Sequence, residues 1–162
     1  MARFGVVPPE PPVIRSFDGC APLFVAALKA ALLELDGGRQ EWPNETLRTV
    51  ARQEWLYGFS RYYDDGRGAV TNAVTAFKSW HIYGLACDVV EKDATPWDAP
   101  PTFWNQLGEA GERHGLVWGG RWRHADLPHL QWGNCPVTPT DDDAVLYHTQ
   151  GIEAVWKKYG AV

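Results

Sequence analysis

The stretch that decides the fold is "SWHIYGLACDVV", residues 79–90. Its second half, residues 85–90, is apolar apart from Asp88, and small and β-branched residues predominate in it. A short run of this kind predicts a strand that is largely buried. His81 precedes Asp88 by seven positions, and Gly84 between them allows the chain to turn tightly. The stretch therefore predicts a buried strand that carries one carboxylate, with an imidazole in the loop before it.

Outward from this strand, the sequence predicts helices on both sides along the chain. Apolar residues at helical spacing predict a helix over residues 22–36, and a second helix is predicted at about 49–59. A third is predicted from the proline pair at 100–101 to about residue 114. The segments "LVWGG" and "PHLQW" predict two further short strands. These elements predict an α+β domain with a small central antiparallel sheet flanked by helices.

The length and the two ends of the chain define the expected domain organisation. A chain of 162 residues is long enough for one core, so residues 1–162 are predicted to form a single catalytic domain. Two proline pairs make residues 1–19 a stiff, extended arm over the domain surface. At the other end, a closing helix is predicted over residues 141–160. It begins with three aspartates and ends with two lysines, which complement the helix dipole.

Composition argues against several classes of function. The net charge of -5 disfavours a nucleic-acid-binding protein, which needs clustered Lys and Arg to displace phosphate counterions. No run approaches the roughly 20 apolar residues that span a bilayer, so no membrane segment is expected. The first residues lack the pattern of a secretory signal, and we expect synthesis in the cytoplasm.

Three widely spaced cysteines predict buried thiols rather than a disulfide framework or a metal knuckle. We expect the protein to be a monomer.

His81, Asp88 and His129 are residue types that bind zinc at catalytic sites, where a fourth position is left for water. Asp88 on one strand and His129 at the start of another can meet across adjacent strands, and His81 reaches them from the preceding loop. Zinc in such a site lowers the pKa of water from about 15.7 to about 7. The pattern alone leaves other interpretations open. One is a loop histidine with a buried aspartate satisfied by backbone donors. Another is the facial triad of iron oxygenases, whose first two ligands usually lie one residue apart.

Four motifs, in order along the chain, resemble those of one family of zinc peptidases. "SWHIYGLACD" resembles the signature Ser-x-His-x-x-Gly-x-Ala-x-Asp, and "DLPHLQW" resembles Asp-x-x-His followed by an apolar residue and Glu or Gln. "LRTVARQEWLY" resembles the upstream arginine element of the family, and "GLVWGGRW" resembles the glycine and tryptophan run before the second motif. The family contains the D-alanyl-D-alanine carboxypeptidases of vancomycin resistance and the L-alanyl-D-glutamate endopeptidases of phage lysins and bacilli.

The resemblance implies a fold like that of Hedgehog and D,D-peptidase domains, and a site with one zinc ion per chain. It assigns three zinc ligands, two catalytic residues and two substrate-binding residues: His81, Asp88 and His129; Asp126 and Arg48; Ser79 and Gln53. Asp126 would take a proton from the attacking water and pass it to the leaving amine. Arg48 would lie beside the substrate, where its planar fork of donors suits an oxyanion or a carboxylate.

The implied activity is hydrolysis of the peptidoglycan stem peptide by a cell-wall lytic endopeptidase of the endolysin type. Gln131 stands where carboxypeptidase members usually carry glutamate, which favours cleavage between L-alanine and D-glutamate. The alternatives are a D-alanyl-D-alanine carboxypeptidase and a catalytically inactive wall-binding module. The segment "YYDDGRGAVTNA", residues 62–73, matches the family only in part, in a region expected to line the substrate groove. We expect the protein to reach the wall by phage-type release or by an export route without a signal peptide.

Overall fold

The computed structural model describes residues 4–36, 42–92 and 97–162. Within these ranges the chain forms five α-helices and four β-strands. The helices are α1 (Pro22–Asp36), α2 (Val50–Gly58), α3 (Pro101–Arg113), α4 (Asp141–Gln150) and α5 (Ile152–Lys158). The strands are β1 (Trp42–Glu45), β2 (Ala86–Val90), β3 (Leu116–Trp118) and β4 (His129–Trp132). Short 3-10 helices cover Ala76–Lys78, Trp80–Tyr83 and Gly119–Arg121.

The strands form one antiparallel sheet in the order β1-β2-β4-β3. β2 lies inside the sheet, and all of its residues are buried. Asp88 on β2 is paired in register with His129 on β4 and, on its other side, with Glu45 on β1. Residues directly opposite each other in an antiparallel sheet project from the same face. The predicted α+β fold with a small antiparallel sheet is confirmed, and one row of that sheet carries three polar side chains.

Apolar side chains from α1, α3 and the sheet form the core that holds this row in place. Leu28 of α1, Leu107 of α3 and Leu130 of β4 are completely buried. Each such side chain contributes about 1.5–3 kcal/mol through its removal from water. α3 approaches the sheet closely at Gly111, where a Cβ atom would lie 2.6 Å from the side chain of Leu130. The small residue thus allows the helix to cover β4 directly.

Local signals set the helix boundaries. Thr49 caps α2 by accepting a hydrogen bond from the backbone N–H of Arg52 at 3.1 Å, and Pro101 occupies the first turn of α3. Both helices match the predicted positions, as does α1. The prediction of one continuous helix over residues 141–160 is wrong, because Gly151 interrupts it with a φ of 84°. A glycine with a positive φ and an extended ψ of 175° ends α4, and α5 begins at the next residue.

The N-terminal arm lies along α2 and the end of β1. The indole N–H of Trp55 donates to the carbonyl of Pro8 at 2.9 Å, and the backbone N–H of Thr46 donates to the carbonyl of Ile14 at 2.9 Å. Residues 1–3 of the predicted arm lie outside the described residues. The described part of the arm is therefore tied to the domain by defined hydrogen bonds.

Cys20, Cys87 and Cys135 are buried and unpaired, as the cysteine spacing predicts. Burial raises the pKa of the Cys20 thiol to about 11 and that of Cys135 to about 12, so both remain protonated thiols at neutral pH. In the part of the chain that the structure describes, no helix is both long enough and apolar enough to cross a bilayer.

Candidate metal centre

Three buried side chains converge beside the sheet. The register between β2 and β4 places Asp88 opposite His129, and the 3-10 helix Trp80–Tyr83 brings in His81. The Nε2 atom of His81 lies 3.2 Å from Asp88 Oδ1, and Nδ1 of His129 lies 3.3 Å from the same oxygen. One ligand atom from each residue lies within 4.8 Å of the other two. The structure thus brings together the three residues that the sequence predicts as metal ligands.

Gly84 makes the approach of His81 possible. It ends the 3-10 helix in the left-handed region with a φ of 61°. A Cβ atom at this position would lie 2.3 Å from the backbone oxygen of Gly19. No other residue type fits this turn without moving the backbone, so glycine here allows His81 and β2 to follow each other closely.

The outer nitrogen of each histidine is engaged with the protein. Nδ1 of His81 lies 2.8 Å from the backbone carbonyl of Thr46, and Nε2 of His129 lies 3.1 Å from Oε1 of Gln131. Each of these acceptors takes a hydrogen bond from an imidazole N–H. When either ring is neutral, its proton therefore lies on the outer nitrogen and the inner nitrogen carries a lone pair. In both histidines it is the inner nitrogen that faces Asp88.

This donor set fits a zinc ion. Zinc binds histidine nitrogen and carboxylate oxygen at about 2.0–2.2 Å in tetrahedral geometry, which places neighbouring ligand atoms roughly 3.3 Å apart. The two nitrogens lie 3.2 and 3.3 Å from Asp88 Oδ1, in agreement with that value. With both imidazoles neutral, two nitrogen lone pairs and a carboxylate oxygen would face one another, and a cation among them removes that repulsion. The geometry and the chemistry of the site therefore both suit a divalent metal.

The buried side chain of Arg48 contacts the second carboxylate oxygen of Asp88. The guanidinium of Arg48 donates to Asp88 Oδ2 at 3.0 Å and to Glu45 Oε2 at 2.7 Å. Burial opposes ionisation of Asp88, but His81, His129 and Arg48 together outweigh it and hold the pKa of this carboxyl well below its usual range. Asp88 is thus ionised, with one oxygen fixed by Arg48 and the other left to the histidines.

Arg48 is in turn held by a wider polar network. Its second terminal nitrogen donates to Oε1 of Gln53 at 2.8 Å, and Arg52 donates through Nε to the other oxygen of Glu45 at 3.0 Å. The side-chain amide of Gln53 also reaches Thr71 Oγ1 at 3.2 Å, in the segment between α2 and Ala76. Sequence reasoning missed Glu45 and Arg52. The signal that was available is one glutamate followed by two arginines at intervals of three and four residues in "WPNETLRTVAR".

The predicted general base, Asp126, lies in the turn that leads into β4. Its backbone N–H donates to the carbonyl of Gly119 at 3.0 Å, and its own carbonyl accepts from the backbone N–H of His129 at 3.3 Å. A Cβ atom on Gly119 would lie 2.6 Å from the Asp126 carbonyl oxygen and 3.1 Å from Cβ of His129. The missing side chain at Gly119 therefore permits this turn to pack against the ligand histidine.

The electrostatic environment of Asp126 suits proton transfer. The residue is exposed at the surface, yet neighbouring protein atoms partly desolvate its carboxyl group. This desolvation and the negative charge of Asp88 raise the pKa of Asp126, against the opposing charges of His129, His81 and Arg48. A carboxylate with a raised pKa is a better proton acceptor than an ordinary surface aspartate.

The two residues predicted to bind substrate occupy different surroundings. Gln53 is completely buried and holds Arg48, as described above. Ser79 is half-buried and precedes the 3-10 helix of His81, without capping it through its side chain. The ring of Trp122 lies 5.1 Å from that of His129 and borders the ligand group. The contacts of Gln53 are those of a supporting residue, whereas those of Trp122 place an aromatic face at the site.

Residues 72–132 match the model of the protein family described as D-alanyl-D-alanine carboxypeptidase. Comparison with curated proteins gives no significant match. Among solved structures, the crystal structure of the Serratia marcescens L-Ala D-Glu endopeptidase ChiX is similar, with a TM-score of 0.52 and 24% identity. The similarity covers 72% of this chain and 82% of that one, and it shows a shared fold. The family match confirms the resemblance to D-alanyl-D-alanine carboxypeptidases that the motifs indicate, and the structural match confirms the fold.

Proposed function

We propose that the protein is a zinc-dependent peptidase that hydrolyses the stem peptide of peptidoglycan. The observation that carries the proposal is the convergence of His81 Nε2, Asp88 Oδ1 and His129 Nδ1, in which two nitrogens lie 3.2 and 3.3 Å from one carboxylate oxygen. The match of residues 72–132 to a family of peptidases supports this chemistry. The matched segment contains all three ligands and Asp126.

In this proposal, the three side chains hold one zinc ion and leave a fourth position open. When bound, zinc supplies a Lewis acid that polarises a carbonyl oxygen and lowers the pKa of water from about 15.7 to about 7. The protein's own contribution is to hold the ligands in place before the metal arrives. The β2–β4 register fixes Asp88 and His129, and the hydrogen bond to Thr46 fixes His81.

Asp126 moves the proton in the proposed reaction. Its carboxylate accepts a proton from the attacking water and returns that proton to the nitrogen of the leaving amine. The peptide C–N bond breaks as this nitrogen is protonated, and the carbonyl carbon retains the new oxygen as a carboxylic acid. That acid then loses the second proton of the water to the released amine or to solvent, which leaves a carboxylate. The turn against Gly119 places Asp126 next to the ligand strand, and its raised pKa suits both halves of this transfer.

Arg48 has one role that its contacts support and a second that we propose. The contacts to Glu45 and Asp88 make it a positioning residue for the metal ligand. Its Nε–H group is buried and has no acceptor among the described residues. A buried donor without a partner costs about 1–3 kcal/mol, and this atom is closed to solvent and therefore to substrate. We propose that the fixed positive charge of Arg48, rather than a direct hydrogen bond, helps to stabilise the developing oxyanion.

We propose that the bond cleaved lies between L-alanine and D-glutamate. Gln131, in place of the glutamate of carboxypeptidase members, favours this bond, and the similar fold of an L-Ala D-Glu endopeptidase supports it. The second candidate is release of the terminal D-alanine, which the description of the matching family favours. The two reactions give different products.

The test is digestion of purified sacculi by zinc-loaded protein, followed by mass spectrometry of the released fragments. Endopeptidase activity yields stem peptides that begin with D-glutamate, whereas carboxypeptidase activity releases free D-alanine. His81→Ala should abolish either product, while the matched variant His148→Ala, which changes an exposed histidine on α4, should retain it. Sacculi that zinc-loaded protein binds but leaves uncut would contradict the proposal and support the wall-binding alternative.

A further inference from the structure

We infer that Gln131 is a positioning residue that fixes which nitrogen of His129 faces the metal; this inference rests on the proposed function. Gln131 lies on β4, two residues after His129, and is almost completely buried, with 1% of its surface exposed. Its Oε1 atom lies 3.1 Å from Nε2 of His129. The side chain therefore contacts a ligand on the side away from Asp88.

The orientation of the Gln131 amide follows from its second contact. The Nε2 group of Gln131 donates to the backbone carbonyl of Pro136 at 2.9 Å. The same carbonyl accepts the indole N–H of Trp80 at 2.7 Å, so the position of this acceptor is fixed from two sides. A rotated amide would direct Oε1 at the carbonyl oxygen of Pro136, and two acceptors at that distance repel. The amide oxygen must therefore face His129.

The orientation of the amide determines the tautomer of the imidazole. An amide oxygen only accepts, so the neutral His129 ring must carry its proton on Nε2. Nδ1 is then left with a lone pair, and Nδ1 is the atom that lies 3.3 Å from Asp88 Oδ1. Hydrogen bonds to the outer nitrogen of a ligand histidine orient the ring and raise its basicity. A chain of contacts from Trp80 through Pro136 and Gln131 thus prepares His129 for the metal.

Glutamate at position 131 would satisfy only half of this arrangement. A carboxylate accepts the His129 proton, but its second oxygen would face the carbonyl of Pro136 without a proton to donate. Methionine has a similar length and neither accepts strongly nor donates. The two substitutions therefore separate the acceptor role from the donor role, and both keep the volume of the buried side chain close to its original value.

The test combines zinc affinity with ¹⁵N–¹H NMR of the histidine side chains. In zinc-loaded protein we expect His129 to bind through Nδ1 and to retain a slowly exchanging proton on Nε2. Gln131→Met should weaken zinc binding about 10- to 100-fold, as loss of an outer contact to a ligand typically does, and should speed exchange of that proton. Gln131→Glu should recover part of the affinity. Asn134→Ala, an exposed change in the turn after β4, is the matched control and should leave both readouts unchanged.

The inference is overturned if His129 binds zinc through Nε2, or if Gln131→Met binds zinc as tightly as the unaltered protein with the same proton exchange. The tautomer is also read in metal-free protein at a pH where both imidazoles are neutral. A protein that binds no zinc but carries the His129 proton on Nε2 would contradict the proposed function and support the role of Gln131. A proton on Nδ1 in that state would contradict the role of Gln131 alone.

Discussion

Arg48 and Asp88 form an ion pair at 3.0 Å in which both side chains are buried, across 40 positions of sequence. The pair connects the start of α2 to β2 and fixes the carboxylate oxygen that the histidines do not use. Because Asp88 is also a predicted zinc ligand, this pair links the stability of the fold to the geometry of the metal centre.

Replacing Arg48 by alanine should destabilise the protein by about 3–5 kcal/mol, because it leaves the carboxylates of Asp88 and Glu45 buried with less compensation. The matched variant is Arg113→Ala. It breaks an ion pair of similar length, 2.6 Å, that is largely exposed, and it should cost less than about 1 kcal/mol. Urea unfolding measures both values. Equal losses of unfolding free energy in the two variants would show that the buried ion pair stabilises the fold no more than the exposed one.

Asp126→Asn should lower the rate of hydrolysis about 10²- to 10⁴-fold, since the amide cannot accept the proton. Its zinc content should stay at that of the unaltered protein, because Asp126 is not among the converging ligand atoms. Elemental analysis and release of fragments from sacculi, measured on the same preparation, separate these effects. A variant that retains both metal and turnover would remove Asp126 from the role of base.

Gly119→Ala should reduce the rate of hydrolysis because the added methyl group would lie 2.6 Å from the carbonyl oxygen of Asp126. This contact pushes the turn that carries the base away from His129. Gly5→Ala is the matched control, since a Cβ atom there meets its nearest neighbour at an ordinary 3.4 Å. Hydrolysis by the two variants is compared at equal zinc occupancy. Unimpaired turnover in Gly119→Ala would show that displacement of the turn that carries Asp126 does not affect hydrolysis.

Asp143→Asn should remove one contribution to the free energy of unfolding, and the size of that contribution depends on pH. Burial opposes ionisation of Asp143, but the amine of Lys158, Thr140 and the hydroxyl of Tyr159 outweigh it and lower the pKa of this carboxyl. Since the folded pKa lies below the unfolded value of about 3.9, the stabilisation is present above that pH and is lost as the pH falls through the folded pKa.

The loss caused by Asp143→Asn should therefore be about 1–3 kcal/mol at pH 6, as expected for hydrogen bonds to a charged group, and should shrink toward pH 2. Urea unfolding across this range measures it. Asp142→Asn, an exposed change on the same turn, should cost less than about 1 kcal/mol. A loss for Asp143→Asn that stays constant from pH 6 to pH 2 would contradict the assignment.

The sequence predicts the centre of the structure well because the decisive signals there are local. The apolar run around Asp88 identifies a buried strand, and the proline before His129 marks the start of another. Two buried strands in a small sheet have few arrangements, so their pairing follows, and the structure places these two residues opposite each other.

Elements that depend on distant contacts were not predicted. β1, with the sequence "WPNE", contains a proline and an acid and lacks an apolar pattern, and it is a strand because it pairs with the edge of β2. The contacts of Arg48 with Asp88 and of Gln131 with Pro136 likewise arise only once the chain has folded. The break at Gly151 was missed because charge at both ends of residues 141–160 fits one helix as well as two.

The proposed function requires that His81, Asp88 and His129 bind one zinc ion through Nε2, Oδ1 and Nδ1. Anomalous diffraction at the zinc edge from crystals of zinc-loaded protein locates the ion. We expect one peak about 2.0–2.2 Å from each of these three atoms, and no peak at this position in Asp88→Ala. A peak elsewhere, or the absence of a peak among these residues at full zinc loading, would contradict the proposed function.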